Sequence, residues 1–124
     1  VAITAEPLMP SPLAAILIGA VGGIIVVYGT KLLLSMKIDD VVGAIPAHLF
    51  AGIWGTLAVP ITNPDTSFGT QLLGVISINA FVFIVAFIVW AIMKNTFGIR
   101  LSKEGELKGT DVTETGVIAY AIRD

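Results

Sequence analysis

The stretch that decides the fold runs from Thr66 to Met93, TSFGTQLLGVISINAFVFIVAFIVWAIM, bounded by Asp65 and Lys94 and without a charged residue between them. As a helix it exceeds the roughly 20 residues needed to cross ~30 Å of hydrocarbon. Two further uncharged runs precede it, Pro7 to Thr30 and Val41 to Pro64, each also long enough to span. The three runs predict an all-α integral membrane protein with helices over about 12–34, 41–61 and 68–95. Composition agrees, since 13% of the 124 residues are charged and 56% are hydrophobic, against the ~25% charged usage of ordinary soluble domains.

A cleaved leader is a poor account of the first run, because a basic segment before it is missing and two equal blocks follow. The sequence opens on Val1, and Val1 to Thr4 are largely apolar, as at the end of a helix, so the chain is read as an excerpt of a longer one. No cysteine is present, which excludes disulfides and thiolate metal sites. No cofactor or metal motif accompanies the apolar runs, and a net charge of −2 gives no reason to expect nucleic acid. Enzyme chemistry is not expected either, because no nucleophile, metal-ligand cluster or phosphate loop occurs.

Helix one is expected to begin near Pro12, since the prolines at 7, 10 and 12 suit a helix start and not its interior. Ala15, Gly19 and Gly23 recur four apart, a spacing that lets two membrane helices approach closely. A short polar connection, Lys31 to Asp40, follows, and Asp39 or Asp40 is placed to cap helix two. Within that helix Pro46 is expected to produce a kink just before His48. Ala47, Ala51 and Gly55 repeat the four-residue spacing, and Ala44 lies one turn from His48 as a small neighbour. Pro60 to Asp65 reads as a turn. Ser77 and Asn79 are read as donors and acceptors of interhelical hydrogen bonds in helix three. Residues 1–97 form the membrane part and 98–124 a polar tail.

Assigning helix ends to alternate sides puts all seven basic residues on one side, leaving Glu6 and Asp65 on the other. By the bias of Lys and Arg toward cytoplasmic loops, the N-terminal end of the chain is outside and the tail cytoplasmic.

His48 is the one histidine of the chain and lies well inside its uncharged run, eighth of 24 residues. An ionisable side chain at such depth normally faces a cavity or a partner. Neutral imidazole carries one donor and one acceptor, so it can relay a proton or hold a small polar solute. A strong cation filter would instead call for carboxylates or rings of carbonyls, and no carboxylate lies inside the runs.

Ile38-Asp39-Asp40, then His48, then Gly52-Ile53-Trp54-Gly55-Thr56-Leu57 resemble the tenth-helix signature of the ammonium transporter family (Amt/Mep/Rh). Pro12 to Leu34 is similar to the ninth helix of that family and Gly69 to Asn95 to its eleventh. Gly98-Ile99-Arg100, Gly109-Thr110-Asp111-Val112 and Ala119-Tyr120 resemble motifs of its tail, so Arg100, Gly109, Asp111 and Tyr120 are its candidate tail residues. Gly43 and Ile45-Pro46 depart from the pattern, standing where many members carry an acidic residue and a Phe-Gly pair.

The resemblance implies that this is the last quarter to third of an eleven-helix protein whose N-terminal helices lie upstream. It further implies a homotrimeric parent in the cell membrane, a pore in each subunit, and a PII-type regulator as a candidate partner of the tail. His48 then corresponds to the second of two pore histidines handling the proton of ammonium or ammonia. An ammonium sensor of the same fold, or a three-helix membrane scaffold without a solute, are the alternatives.

Overall fold

The computed structural model describes residues 1–119. Tyr120, one of the expected tail residues, lies outside the described residues. The chain divides into two compact units, Val1–Phe81 and Val82–Asp124. No strand occurs among the described residues, and three helices are long and apolar enough to cross a membrane.

The first helix, α1, is Pro12–Ser35. Ser11 caps it, its side chain accepting from the Ala14 N–H at 3.2 Å, while Pro12 occupies a first-turn position where a missing N–H costs nothing. Its C-terminus closes on a left-handed residue, Lys37 at φ 57°. The Lys37 and Ile38 N–H groups reach back to the Leu34 and Leu33 carbonyls, each at 3.0 Å.

The second helix, α2, is Ile45–Thr62, three to four residues shorter at its start than the uncharged run suggests. Its first stretch, Ile45–Phe50, is a π-helical turn, and Ala51–Thr62 is α-helical. Val41 and Val42 stay outside because Asp40 and Gly43 make a turn instead. The Gly43 N–H meets the Asp40 carbonyl at 3.1 Å, with Gly43 at φ 68°. The Asp40 carboxylate then takes the N–H groups of Ala44 and Ile45, both at 2.8 Å. Asp40 is therefore the capping residue, and Asp39 is exposed beside it.

The observed ends of α2 correct two expectations. Pro46 sits in the first turn, where no hydrogen bond is lost, so it is not an interior kink; the local distortion is the π-helical turn. Pro60, expected in the connecting turn, lies inside α2 near its end, which Asn63 terminates.

Glycines make room for α2 side chains against α1 at Gly29 and for the N-terminal segment against both helices at Gly22 and Gly55. A Cβ on Gly29 would lie 2.7 Å from Phe50 and 3.0 Å from Pro46, whose side chain is fully buried. A Cβ on Gly22 would lie 2.6 Å from Ala2, and one on Gly55 would run into the Ala2 main chain. The N-terminal segment is thus wedged against both helices, with Ala2, Ile18 and Ala58 forming a small core beside Trp54. The Trp54 Nε1–H donates to the Ile18 carbonyl at 3.0 Å, and the Asn63 side chain donates to Glu6 at 2.7 Å. Interhelical hydrogen bonds in membranes contribute about 0.6 kcal/mol each, so glycine-mediated close packing carries more of the pairing.

The contact face of α1 is Ile18, Gly22, Gly29 and Leu33, all buried. Gly19 and Gly23 have open space within 4 Å. A strict four-residue step overshoots each turn by about 40°, so the row Ala15, Gly19, Gly23 winds off the face that the spacing 4, 7, 4 holds. On α2, Ala51 is 3% exposed and Gly55 is buried.

The third helix, α3, is Phe68–Thr96, and none of its residues is buried within this chain. Apolar side chains surround it, as expected of a span whose neighbours are lipid or further protein. Asn79 bonds the Val75 carbonyl of its own helix at 2.8 Å, and Ser77 is exposed, so neither makes the expected interhelical bond among the described residues.

A methyl group at Gly55 has rigid backbone in its way, while one at Gly23 meets nothing. Gly55→Ala is expected to cost about 2 kcal/mol and lower the melting temperature of the detergent-solubilised protein. Gly23→Ala is expected to leave it unchanged.

Candidate functional site

The π-helical turn, which gives α2 an extra residue per turn at His48, is the feature that sets the site. Such turns are rare and frequently mark functional positions. One face of α2, with Pro46, Ala51, Gly55 and Ala58 buried, is committed to α1 and the N-terminal segment. The opposite side presents His48, Gly52 and Thr56 to a groove of about 240 Å³ within the first unit. Its other wall is the N-terminal part of α3, contributing Gln71, Gly74 and Asn79.

His48 is exposed in this groove, and no described residue hydrogen-bonds its imidazole. It falls in the first turn of α2, because the helix starts at Ile45 and not at the head of the uncharged run. The Asp40 carboxylate at that same end takes up two free N–H groups and offsets the positive end of the helix dipole close to the imidazole. Ala44 is exposed at the head of the helix with its N–H on Asp40, and is not part of the groove wall. Gly52, one turn on from His48, lines the groove.

Sequence reasoning passed over Gln71 and gave Thr56 no role of its own. The available signal was modest. Gln71 and Asn79 are eight apart, hence near one another around a helix, and they are uncharged polar residues in a run that is otherwise almost wholly apolar. Which helix that face would meet was not legible. Among the described residues no group of three or more His, Asp or Glu side chains could hold a metal.

The second unit holds the remaining candidate residues. A short helix, α4, is Lys103–Lys108, capped by Ser102. A π-helical turn, Asp111–Thr115, follows and packs on it through Thr113, whose hydroxyl donates to the Gly105 and Gly109 carbonyls. Arg100 grips Glu106 with two N–H donors, each 2.8 Å from a carboxylate oxygen. This pairing raises the Arg100 pKa and lowers that of Glu106. Gly109, at φ 96°, turns the chain in a conformation that a side chain rarely adopts. The Asp111 carboxylate accepts the Ala119 N–H at 2.9 Å, and backbone donors from Ala119 and Val112 hold its pKa below the usual carboxylate value. This local order was not anticipated from a tail rich in turn formers.

The fold and the groove define a helical integral membrane protein with an uncharged polar site set among its spanning segments. Residues 1–120 match the profile of the Ammonium Transporter Family, and the chain belongs to that family. It is 36% identical to an ammonium transporter of Archaeoglobus fulgidus, over 97% of this chain and 30% of that protein. It is also 36% identical to an ammonium transporter of Haloferax mediterranei, over 85% of this chain and 21% of that protein. The chain therefore spans less than a third of the length of these relatives. No solved structure gives a significant match.

Glu106 and Asp111 have lowered folded-state pKa values, so their stabilisation is complete above the ordinary carboxylate pKa of about 4 and is lost as pH falls through the lower folded values. Hydrogen exchange at the Ala119 amide is expected to be slow at pH 7 and to lose its protection on acidification below about 4. Asp111→Asn is expected to speed that exchange at pH 7.

Proposed function

We propose that the protein of which this chain is part transports ammonium or ammonia across the cell membrane, with His48 lining the path. One observation carries this reading: an imidazole without a hydrogen-bond partner among the described residues, placed by a π-helical turn of a membrane helix on a groove that also holds Thr56, Gln71 and Asn79. The ammonium transporters among the relatives support it.

The physics favours passage of the neutral solute. An unpaired ammonium ion in hydrocarbon costs tens of kcal/mol on Born estimates, and loss of its proton removes most of that cost. Neutral imidazole can accept a proton at one ring nitrogen while donating from the other, which suits it to hold the solute or pass the proton on. No carboxylate lines the groove, and weak uncharged ligands let a solute leave as readily as it enters.

In this reading residues 1–97 lie in the membrane part and 98–124 form the cytoplasmic tail, with the N-terminal end of the chain outside. Further helices of the parent complete the pore, subunits associate as homotrimers, and the tail with Arg100, Gly109 and Asp111 is the face offered to a PII-type regulator. Gly19 and Gly23, open in this chain, are available for packing on those further helices.

Replacement of His48 by Ala in the full-length protein is expected to lower methylammonium uptake at least tenfold or to alter its selectivity. Wild-type uptake by the folded variant would remove His48 from the path. In a full-length protein whose cysteines outside this chain are replaced, single cysteines introduced here report its orientation. Lys103→Cys is expected to resist, and Asp65→Cys to react with, an impermeant thiol reagent applied outside, and the reverse pattern would invert the topology.

A further inference from the structure

Asn79 differs from the other polar groups of the groove in having its orientation decided by its own helix. Its side-chain nitrogen donates to the Val75 carbonyl at 2.8 Å. A carbonyl cannot bond an amide oxygen in this way, so the nitrogen must face the helix and Oδ1 is left as the free end. Oδ1 accepts from no described residue. Asn79 is partly buried and lines the same groove as His48. Gln71 and Thr56, by contrast, have no described side-chain bond that selects which of their atoms is offered.

From this geometry we infer that Asn79 is a specificity residue, whose Oδ1 is a fixed, uncharged acceptor for an N–H of the transported ammonium, methylammonium or ammonia. The inference rests on the transport reading above and names a further contact within it. Imidazole offers a single acceptor when neutral, whereas ammonium carries four N–H donors that must give up water on entering an apolar groove. An amide oxygen supplies a second acceptor without a full charge. A carboxylate in its place would hold a cation more tightly and release it more slowly. The Val75 bond keeps the oxygen in place between solutes, so little side-chain ordering is needed for each passage.

Two nearly isosteric variants of the full-length protein separate this role from a structural one. Asn79→Leu removes the acceptor and is expected to raise the half-saturating concentration for methylammonium about tenfold, with the maximal rate changed less. Asn79→Asp keeps an acceptor and is expected to saturate at or below the wild-type concentration, with a lower maximal rate. Melting temperature and oligomer size, measured on both, establish that each variant is folded; Asn79→Ala serves if the leucine variant is not. Wild-type half-saturation in the folded acceptor-free variant would overturn the inference, as would equal shifts in the Leu and Asp variants. If His48→Ala impairs uptake while Asn79→Leu does not, the role of Asn79 alone falls. If His48→Ala leaves uptake intact, it is the His48 reading that falls.

Discussion

The packing of α1 on α2 at Gly29, and of both helices on the N-terminal segment at Gly22 and Gly55, determines how α2 is rotated, and with it what α2 offers to the groove. In lipid no hydrophobic force draws two apolar helices together, so contact depends on backbones coming close enough for many van der Waals neighbours. Pro46 and Phe50 fill the notch at Gly29, and the main chain of Ala2 fills the one at Gly55. With Pro46, Ala51, Gly55 and Ala58 turned to this seam, His48, Gly52 and Thr56 face the other way. The Trp54 bond to the Ile18 carbonyl then fixes the axial register of the pair.

The start of α2 is the second determinant. A helix end within reach of hydrocarbon must satisfy its free N–H groups from the protein itself. Asp40 does so for Ala44 and Ile45, and Pro46 has no N–H to satisfy. The turn at Gly43 makes the carboxylate's reach feasible. Because Asp40 supplies this cap, the polar connection is coupled mechanically to the π-helical turn that carries His48. The tail follows the same rule on a smaller scale, with Ser102 taking a free N–H of the short helix α4, Thr113 bonding its Gly105 carbonyl and Asp111 holding the Ala119 N–H.

Much of this was legible in the residues. Three uncharged runs, the proline at the head of α1 and the acidic pair before α2 gave helix number, order and most boundaries within a few residues. The membrane class and the suspicion attached to His48 followed from length and charge. The errors had a common cause, which is that spacing specifies a row on a helix but not the partner that row meets. Gly19 and Gly23 satisfy the four-residue close-approach spacing and Gly22 and Gly29, seven apart, do not, yet the seam used the latter. Pro46 looked interior because nothing in the run announced that Val41 and Val42 would be left in a turn.

What the sequence by itself determined is what depends on transfer from water: the spanning helices, their order along the chain and the membrane setting of one histidine. These are sums over many residues, and single misreadings do not alter them. The tertiary structure decided which face of each helix is used, where α2 begins, and that Gln71 and Asn79 share a groove with His48. Those outcomes rest on fits of an ångström or less and on hydrogen bonds as directional as Asp40 to Ala44, for which composition and periodicity carry no information.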